Sequence, residues 1–423
     1  MATFGSLVPI VPKYIRLLRS QYATPAAIEA ESHRRLEETL RAAAEIPFYR
    51  ESFAAITSSE LRNYPILMRS DIPALNRSVR DRIGSCRDLF HDNSSGSTGM
   101  PVEFLFDNAH QSGRYAARIR YLRANGWSPL RRNAWIVAFT SRDDDSADSR
   151  LLHSRLRLRS TFLKLIFQPF EEQVDALAAL QPEFLYTMPS NLSGLLQVFE
   201  RRATRLASLR CIFTGGEVLD DSLRERTRDA LGVEIRDNYG STEGFISWQC
   251  PAGSYHINAE HVAVEIVDES GRPTAPGKMG RILVTTLENR LMPLIRYEIG
   301  DYAIASNTPC SCGRTLPVMG KVIGRGINLF RLRGGQLKSP WPLVGPLKER
   351  PEIRQFQIVQ ETHDHFLVRY VSDCELESAA QVAIRAGFAR ILEIEASVSF
   401  ERMDTIARTA GGKFMTALSL VSD

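Results

Sequence analysis

Residues 234–244 read EIRDNYGSTEG, and this stretch indicates how the chain is built. The span from Glu234 to Tyr239 has the length and composition of a short strand, and the polar segment from Asn238 to Gly244 lies at its carboxyl end. In open α/β sheets, ligands bind outside the carboxyl ends of the strands. There the carboxylate of Glu243 is suited to hold Mg²⁺, and the ring of Tyr239 offers a flat face to a purine or an aromatic substrate. A capped surface turn is the alternative interpretation of this motif taken alone.

On the N-terminal side of this stretch, short apolar runs alternate with helical patterns. The predicted strands are Trp135 to Phe139, Phe184 to Met188 and Leu209 to Phe213. The predicted helices cover residues 24–46, 107–125, 171–180, 190–202 and 219–231. This alternation predicts an α/β sheet flanked by helices.

Beyond residue 260 the pattern changes. Apolar residues recur with a period of two, from Val262 to Ile266 and again at Ile282 and Val284, which predicts an antiparallel β region. After the Gly-rich residues 324–335, two strands, a helix at residues 375–393 and a further strand predict a small α+β domain. We therefore divide the chain into a large α/β domain with layered sheets, residues 1–324, and a small C-terminal domain, residues 325–423.

The composition is that of an ordinary globular protein. Of the 423 residues, 43% are apolar and 24% are charged, which excludes disordered, collagen-like and coiled-coil chains. The 53 Lys and Arg residues against 49 Asp and Glu residues leave a net charge of +4 that is spread along the chain, so nucleic acid is not an expected partner. Apolar runs are far shorter than the ~20 residues of a membrane span, and prolines interrupt the patch from Leu7 to Val11. We expect a cytoplasmic protein.

A loop of small residues precedes the first helix of the sheet region. Residues 93–101 read NSSGSTGMP, in which glycines let backbone N–H groups point inward and hydroxyl groups add donors, as a polyphosphate requires. The candidate phosphate-binding residues are Ser94, Ser95, Gly96, Ser97, Thr98 and Gly99. The loop is neither a Walker loop nor a dinucleotide-binding fingerprint. A flexible Ser/Gly loop is the alternative interpretation.

Three single residues outside these motifs are further candidates. Asp301 ends the strand-like stretch RYEIGD, where a carboxylate is suited to accept hydrogen bonds from a ribose diol. Arg325 follows Gly324 at the proposed domain boundary, and Lys413 follows two glycines in the stretch TAGGKF near the C-terminus. Taken singly, each is also explained as an ordinary residue of a solvated turn.

The six cysteines are too sparse for a disulfide framework, but four side chains have the spacing of a metal site. Cys250 and His256 flank a short Pro-Ala-Gly turn, and Cys310 and Cys312 lie in the tight turn CSCG. Three thiolates and an imidazole satisfy tetrahedral Zn²⁺, so we predict a structural zinc site, with His261 as the alternative nitrogen ligand. Four unrelated buried side chains are the other interpretation.

In this order, the segments resemble the adenylate-forming (ANL) superfamily, in particular its phenylacetate-CoA ligase branch, over residues 40–415. SSGSTGMP resembles the family's loop S-S-G-T-T-G-K-P, YGSTE its motif Y-G-x-T-E, and RYEIGD its motif R-Y-x-x-G-D. FTGGE at residues 213–217 resembles the strand end that borders adenine, and CSCGR resembles the zinc-binding relatives.

The resemblance implies a role for each matched position. The loop from Ser94 to Pro101 would grip the β- and γ-phosphates, Thr242 would contact the α-phosphate, and Glu243 would hold Mg²⁺. Lys413, on a mobile C-terminal domain, would perform the chemistry together with Thr242 and Glu243. The other implied nucleotide-binding residues are Gly216, Glu217, Asn238, Tyr239, Gly240, Ser241, Asp301 and Arg325.

The resemblance also implies two half-reactions. A carboxylate attacks the α-phosphorus of Mg·ATP to give an acyl adenylate and pyrophosphate, and a thiol, usually that of CoA, then displaces AMP. The expected substrate is a small aromatic or other carboxylic acid, and an amine, a carrier-protein thiol or nitrite is the alternative acceptor. A role in capsule polysaccharide formation also stays open. One interpretation of the apolar residues Phe184, Tyr186, Met188, Phe213, Phe245 and Ile246 is a slot for the acid beside the adenylate. Ordinary core packing is the alternative, and we favour it for most of them.

Two departures from the family pattern support a second hypothesis. Met100 stands where the family's loop has a lysine, and Ile327 and Asn328 stand where it has hinge aspartates. A degenerate relative that binds nucleotide or zinc as a scaffold or sensor would show such changes. Lys413, Glu243 and Asp301 favour the enzyme, because a chain that only held nucleotide would not need the lysine that performs the chemistry.

Overall fold

The computed structural model describes residues 10–53, 56, 58, 60–84, 89–93, 102–136, 160–163, 166–348, 350, 352–408 and 414–421. The described strands form an eight-stranded sheet, two four-stranded sheets and two two-stranded sheets. Within the described part of the chain, no helix combines the length and the apolar character that a membrane span needs.

The helices and strands are numbered in chain order. The helices are α1 (Ile10–Ser20), α2 (Pro25–Ala44), α3 (Pro47–Phe53), α4 (Ile72–Ile83), α5 (Asn108–Ala124), α6 (Phe170–Leu180), α7 (Pro189–Arg202), α8 (Asp221–Leu231), α9 (Trp341–Lys348) and α10 (Ser378–Leu392). The strands up to residue 249 are β1 (Phe90–Asn93), β2 (Glu103–Phe106), β3 (Asn133–Ile136), β4 (Ser160–Leu163), β5 (Phe184–Tyr186), β6 (Cys211–Gly215), β7 (Glu234–Ser241) and β8 (Gly244–Gln249). The strands from residue 255 to 325 are β9 (Tyr255–Ile257), β10 (Val262–Val267), β11 (Met279–Thr286), β12 (Tyr297–Ile304), β13 (Val318–Met319) and β14 (Val322–Arg325). The remaining strands are β15 (Phe330–Arg331), β16 (Leu337–Lys338), β17 (Gln355–Gln360), β18 (His365–Val371), β19 (Ser397–Met403) and β20 (Ala417–Ser419).

The eight-stranded sheet has the order β13-β9-β8-β7-β6-β5-β3-β4. Strands β4, β3, β5, β6 and β7 run parallel, and β8 turns back antiparallel to β7. The carboxyl ends of the parallel strands therefore meet along one edge, which is where the sequence predicts ligand binding.

Helices cover both faces of this sheet because successive strand residues point to opposite sides. Leu185 and Ile212 are fully buried on one face, in a core with α6, α7 and α8. Phe184 and Phe213 lie on the other face, in a core with α1 and α5. On that face Tyr121 of α5 meets the Phe213 ring edge to face, with ring centroids 5.3 Å apart. The sheet is thus buried on both sides, as parallel strands require.

Side-chain caps fix where these helices begin. The Thr24 hydroxyl accepts a hydrogen bond from Ala27 N over 3.3 Å at the start of α2. The Asp107 carboxylate accepts from His110 N over 2.7 Å at the start of α5, and that of Asp220 accepts from Leu223 N over 3.0 Å at the start of α8. Each cap satisfies an N–H group that the helix itself leaves without a partner.

A second layer contains the antiparallel sheet β10-β11-β12-β14. Val264 pairs with Val284 and Ile266 with Ile282, which explains the period of two in the sequence. Its core is shared with residues of α2, α3, α4 and the β1–β2 hairpin. At its far edge Asp301 of β12 pairs with Arg325 of β14, so the register brings two predicted site residues side by side.

Glu288 ties the N-terminal helices to this layer. Its carboxylate accepts hydrogen bonds from Arg35 of α2 over 2.8 Å and from Lys13 of α1 over 3.3 Å, and it bonds with His261 Nδ1 over 3.1 Å. Burial alone would raise the pKa of Glu288, but His261, Lys13 and Arg35 together lower it to about 2. This carboxylate is therefore ionised in the folded protein at any pH near neutrality.

The residues from Phe330 onward form a separate core, and we call this part of the chain the C-terminal unit. The sheet β19-β18-β17-β20 packs against α9 and α10, with Phe330, Phe366 and Phe388 fully buried between them. The Phe366 ring meets both other rings edge to face.

The predicted α/β class with layered sheets is confirmed, and the predicted elements lie within a few residues of α2, α5, α6, α7, α8, α10 and their strands. For the strand predicted from Trp135 to Phe139, residues 137–139 lie outside the described residues. Helices α3 and α4 are not predicted, because arginines and other polar residues interrupt their apolar positions. The buried face of α4 nevertheless has helical spacing, with Ile72, Leu75 and Val79 fully buried.

Candidate active site

A cavity of about 550 Å³ lies where the large sheet, the antiparallel sheet and the C-terminal unit meet. Among the residues that line it are ten predicted from the sequence: Gly216, Glu217, Asn238, Tyr239, Gly240, Ser241, Thr242, Glu243, Asp301 and Arg325. The C-terminal unit contributes Trp341, Val344, residues 354–356, Val371, Asp404, Thr405, Arg408 and residues 414–417. Residues of the large sheet region and of the C-terminal unit therefore face one space.

Asp301 is held from two sides. The hydroxyl of Tyr239 donates to Asp301 Oδ2 over 2.8 Å, and Arg325 Nε lies 3.3 Å from Asp301 Oδ1. Each carboxylate oxygen keeps a further lone pair, so the group can still accept hydrogen bonds from a diol. Burial and the Asp301 charge raise the pKa of Tyr239, which keeps its hydroxyl a donor.

Glu243 places a second carboxylate in the cavity wall, with only 5% of its surface exposed. Burial raises the pKa of Glu243, the charge of Arg325 opposes this, and the charge of Asp301 adds to it. Ionisation of Glu243 at neutral pH is therefore unfavourable in free energy when no cation is bound, and a divalent cation bound to the carboxylate would offset that penalty.

Asn238 and Asp237 form the polar floor at the end of β7. Asn238 Nδ2 donates to the Thr214 carbonyl over 2.6 Å and to the Tyr186 hydroxyl over 3.3 Å. The Asp237 carboxylate accepts from the hydroxyls of Thr214 and Tyr255, each over 2.6 Å. Burial raises the pKa of Asp237, while these hydrogen bonds oppose that rise. The bonds fix β7 against β6 and β9, so they also fix the position of the last residues of β7 and of Thr242 and Glu243, which follow it.

Glu217 connects the sheet to the C-terminal segment. Its Oε1 accepts from Phe414 N over 2.7 Å and from the Ser190 hydroxyl over 3.0 Å, and its Oε2 accepts from Ser190 N over 2.8 Å. Arg408 Nη1 donates to the Ser190 hydroxyl over 2.8 Å. The segment that contains Lys413 is thus flanked by two residues that contact the cavity wall.

Two predicted groups lie outside the described residues: the loop residues Ser94, Ser95, Gly96, Ser97, Thr98 and Gly99, and the lysine Lys413. Their neighbours are described. Asn93 ends strand β1, and Phe414 lines the cavity.

A thiol-imidazole cluster lies apart from the cavity, at the end of β8. One ligand atom from each of Cys250, His256, Cys310 and Cys312 lies within 4.8 Å of the others. The Sγ atoms of Cys250 and Cys310 are 3.5 Å apart, and Cys312 Sγ is 3.3 Å from His256 Nε2. Around tetrahedral Zn²⁺, with Zn–S bonds of about 2.3 Å, sulfurs stand about 3.8 Å apart, so the spacing fits.

The chemistry of the cluster also fits a cation. His256 Nδ1 bonds with the Leu316 carbonyl over 3.1 Å, which makes Nδ1 the donor and leaves the Nε2 lone pair directed to the thiols. Burial and the Cys310 neighbour raise the pKa of Cys250 to about 12. That thiol stays protonated near neutral pH unless a cation displaces the proton. His261, the alternative ligand, is not in the group and bonds with Glu288 instead.

The structure supports the core interpretation of the apolar residues and not the slot. Phe184, Phe213 and Phe245 are buried beneath α5, Met188 packs into the core on the opposite face, and Ile246 belongs to the antiparallel layer. Ser190 and Arg408 are two site residues that the sequence pattern does not reveal. Nothing about a serine one residue into a helix, or about an arginine in a polar tail, distinguishes them before the tail is folded onto α7.

The sequence is similar to those of known proteins. The family model described as AMP-binding enzyme matches residues 163–289. The phenylacetate-coenzyme A ligase of Thermus thermophilus is 33% identical over 199 residues, which are 45% of this chain and 44% of that protein. The enzyme of the same name from Escherichia coli is 26% identical over 325 residues, 73% of each chain. The chain thus spans less than half the length of the Thermus relative in that match.

The fold is also found in solved structures. A crystal structure of 2-hydroxyisobutyryl-CoA ligase in the postadenylation state, in complex with 2-HIB-AMP, superposes with a TM-score of 0.74. The two sequences are 21% identical, and the match covers 93% of this chain and 90% of that chain. The likeness extends over both the large sheet and the C-terminal unit.

Proposed function

This chain belongs to the adenylate-forming (ANL) superfamily, in its phenylacetate-CoA ligase branch, and we propose that it is an AMP-forming acid–thiol ligase. It would activate a carboxylic acid with ATP and transfer the acyl group to the thiol of CoA. The observation that carries the proposal is the position of Arg408 and Phe414, which flank Lys413 and line the same cavity as Thr242 and Glu243.

The cavity offers a place for each part of a nucleotide. Asp301, oriented by Tyr239 and Arg325, is suited to the ribose hydroxyls. Gly216, Glu217 and residues 238–242 line the cavity. Gly216 and Glu217 would border the base, and residues 238–242 would border the α-phosphate. We assign the β- and γ-phosphates to the loop Ser94 to Gly99, whose first strand ends at Asn93.

Glu243 is the carboxylate that would hold Mg²⁺. The cation would supply charge neutralisation at the phosphates. The raised pKa of the buried Glu243 supports this role, because a carboxylate that is costly to ionise alone gains most from a cation.

Lys413 would be the catalytic cation. It is covalently bonded to Phe414, whose N–H donates to Glu217 in the cavity wall. Its ammonium group would bridge the attacking carboxylate and the α-phosphate, so that charge developing in the transition state is neutralised and the two reactants are held together.

In the first step, a carboxylate oxygen of the acid forms a bond to the α-phosphorus of ATP, the bond between that phosphorus and the α–β bridging oxygen breaks, and pyrophosphate leaves with that bridging oxygen. In the second step, the thiol sulfur of CoA forms a bond to the acyl carbon and the bond between that carbon and the former carboxylate oxygen breaks. AMP leaves with this oxygen, and the thiol proton passes to solvent. We propose that the chain divides at Arg325 and that the C-terminal domain rotates about residues 324–328 between these steps.

We also propose that the thiol-imidazole cluster holds a structural Zn²⁺. It joins Cys250 at the end of β8 and His256 on β9 to the loop that contains Cys310 and Cys312. A site with four protein ligands has no open position for a catalytic water, so its role would be to fix this loop against the large sheet.

Acid-dependent exchange of labelled pyrophosphate into ATP tests the first step. A panel of aryl and aliphatic acids is offered, and AMP release is then measured with and without CoA. We expect at least one acid to stimulate exchange and CoA to stimulate AMP release. If no acid in the panel stimulates exchange, the result would favour a non-catalytic nucleotide scaffold. AMP release without CoA consumption would favour an amine, a carrier-protein thiol or nitrite as acceptor.

A further inference from the structure

The contact between the C-terminal segment and the large sheet is built around one carboxylate. Glu217 bonds with Ser190 through both of its oxygens, and Oε1 also accepts from Phe414 N. Arg408, on the other side of Lys413, reaches the same place through the Ser190 hydroxyl. Ser190 and Glu217 therefore contact both flanks of the lysine segment, by which we mean residues 408–414.

The large sheet provides this contact point independently of the tail. Ser190 follows Pro189 at the start of α7, where helical N–H groups have no partner within the helix. The Glu217 carboxylate accepts from one of these groups, Ser190 N, and the positive end of the helix dipole favours its negative charge there. Glu217 and Ser190 are thus held in place by α7 before Phe414 arrives.

The tail presents matching groups. Phe414 offers a backbone N–H, which any residue could supply, whereas Arg408 offers a cation beside the negative charge of Glu217. Burial lowers the pKa of Arg408 and the Glu217 charge opposes that fall, so the two groups interact across the contact. A hydrogen bond to a charged group shifts an equilibrium by about tenfold or more, enough to bias a domain between two positions without locking it.

We propose that Ser190 and Glu217 are positioning residues that dock the lysine segment over the nucleotide during the first half-reaction. The inference rests on the proposed function, because it assigns to this contact the first of the two positions of the C-terminal domain. The same bonds would break when the C-terminal domain rotates for the second step, since residues 408 and 414–417 line the cavity in the docked position. The docking pair is thus selective for adenylation and has no part in thioester formation.

A substrate-free experiment tests the docking itself. Hydrogen–deuterium exchange of a peptide that includes the Phe414 amide is compared in the wild type and in Glu217→Ala. Loss of the charged acceptor is expected to speed exchange at that amide by about tenfold or more. Unchanged exchange in Glu217→Ala would overturn the docking, whether or not the protein is an enzyme.

A kinetic experiment tests the selectivity, with Arg408→Met as the variant and Arg402→Met as the matched control. Arg402 contacts Glu375 and the carbonyls of Ser372 and Asp373, all within the C-terminal unit. Arg408→Met is expected to lower the kcat of acid-dependent pyrophosphate exchange by about tenfold. The KM for ATP and the rate of thioester formation from synthetic acyl adenylate should both stay unchanged.

The two possible failures are distinct. Equal losses in both half-reactions, or none in either, would overturn the selective docking role while leaving the proposed function intact. Absence of acid-dependent exchange in the wild type would contradict the proposed function, and the deuterium experiment would still decide whether the contact forms.

Discussion

The backbone N–H of Phe414 donates a 2.7 Å hydrogen bond to Glu217 Oε1 across 197 positions of sequence. Glu217 follows the end of β6, and Phe414 lies three residues before β20, so the bond joins the large sheet to the C-terminal unit. Because Lys413 is the residue bonded to Phe414, this contact is the structural basis for assigning the lysine to the cavity.

Tyr239→Phe tests how Asp301 is oriented. The substitution removes the hydroxyl that donates to Asp301 Oδ2 and keeps the ring, so the affinity for AMP should fall by about tenfold, the value of one hydrogen bond to a charged group. Isothermal titration with AMP measures it. Tyr302→Phe, one residue beyond Asp301 on β12, is the control. An AMP affinity equal to that of the control would show that Asp301 does not need Tyr239.

Glu243→Gln tests the cation site. Burial raises the pKa of Glu243 in the folded state, so its contribution to stability is present at low pH and is lost as pH rises through the folded pKa. Without metal, the melting temperature of Glu243→Gln should therefore exceed that of the wild type by more at pH 8 than at pH 4. The Mg²⁺ concentration needed for pyrophosphate exchange should rise about tenfold or more in the variant.

The control for this variant is Glu225→Gln on the exposed side of α8. A pH-independent difference in melting temperature, or an unchanged Mg²⁺ requirement, would argue against Glu243 as the cation ligand.

Replacing Cys310 and Cys312 by serine tests the zinc proposal. The wild type and Cys374→Ser, which changes an exposed cysteine, should each contain one zinc per chain by elemental analysis. The double variant should contain roughly a tenth of that or less and should melt at a lower temperature, because the loop loses its link to β8. Undiminished zinc in the double variant would refute the site.

Glu288→Gln tests the network that attaches α1 and α2. The pKa of Glu288 is about 2 in the folded state, below its ordinary value of 4.5, so its contribution is complete above pH 4.5 and is lost as pH falls toward 2. That shift corresponds to about 3 kcal/mol of unfolding free energy at pH 7. Urea unfolding should show a loss of this order in the variant at pH 7 and a smaller one at pH 3.

The control for the network is Glu269→Gln, whose side chain is 76% exposed in a turn. An equal loss in both variants, or a loss that does not shrink at low pH, would contradict the assignment of the charge network to Glu288.

The motif residues could be predicted from the sequence because strand and turn patterns are local. The strand that ends at Tyr239 and the strand that contains Asp301 each have a recognisable apolar pattern, and the fold brings their ends together by sheet geometry alone. The contact between Ser190, Glu217 and Arg408 could not be predicted, because it depends on how the tail folds back onto α7, and no local pattern encodes that approach.

The error in the apolar slot has a simple physical cause. Phe245 and Ile246 are consecutive residues of strand β8, so they must point to opposite faces of the sheet and cannot line one slot. The structure places Phe245 beneath α5 and Ile246 in the antiparallel layer. The alternation used to predict the strands was sufficient to exclude that pairing.

The most direct test of the account is Lys413→Ala, with Lys278→Ala in an exposed turn as the control. The measured quantity is the rate of acid-dependent pyrophosphate exchange, alongside the affinity for ATP and thioester formation from synthetic acyl adenylate. We expect exchange to be abolished in Lys413→Ala while ATP affinity and thioester formation match the control. Full exchange activity in Lys413→Ala would contradict the claim that this lysine, brought to the cavity by the C-terminal unit, activates the acid.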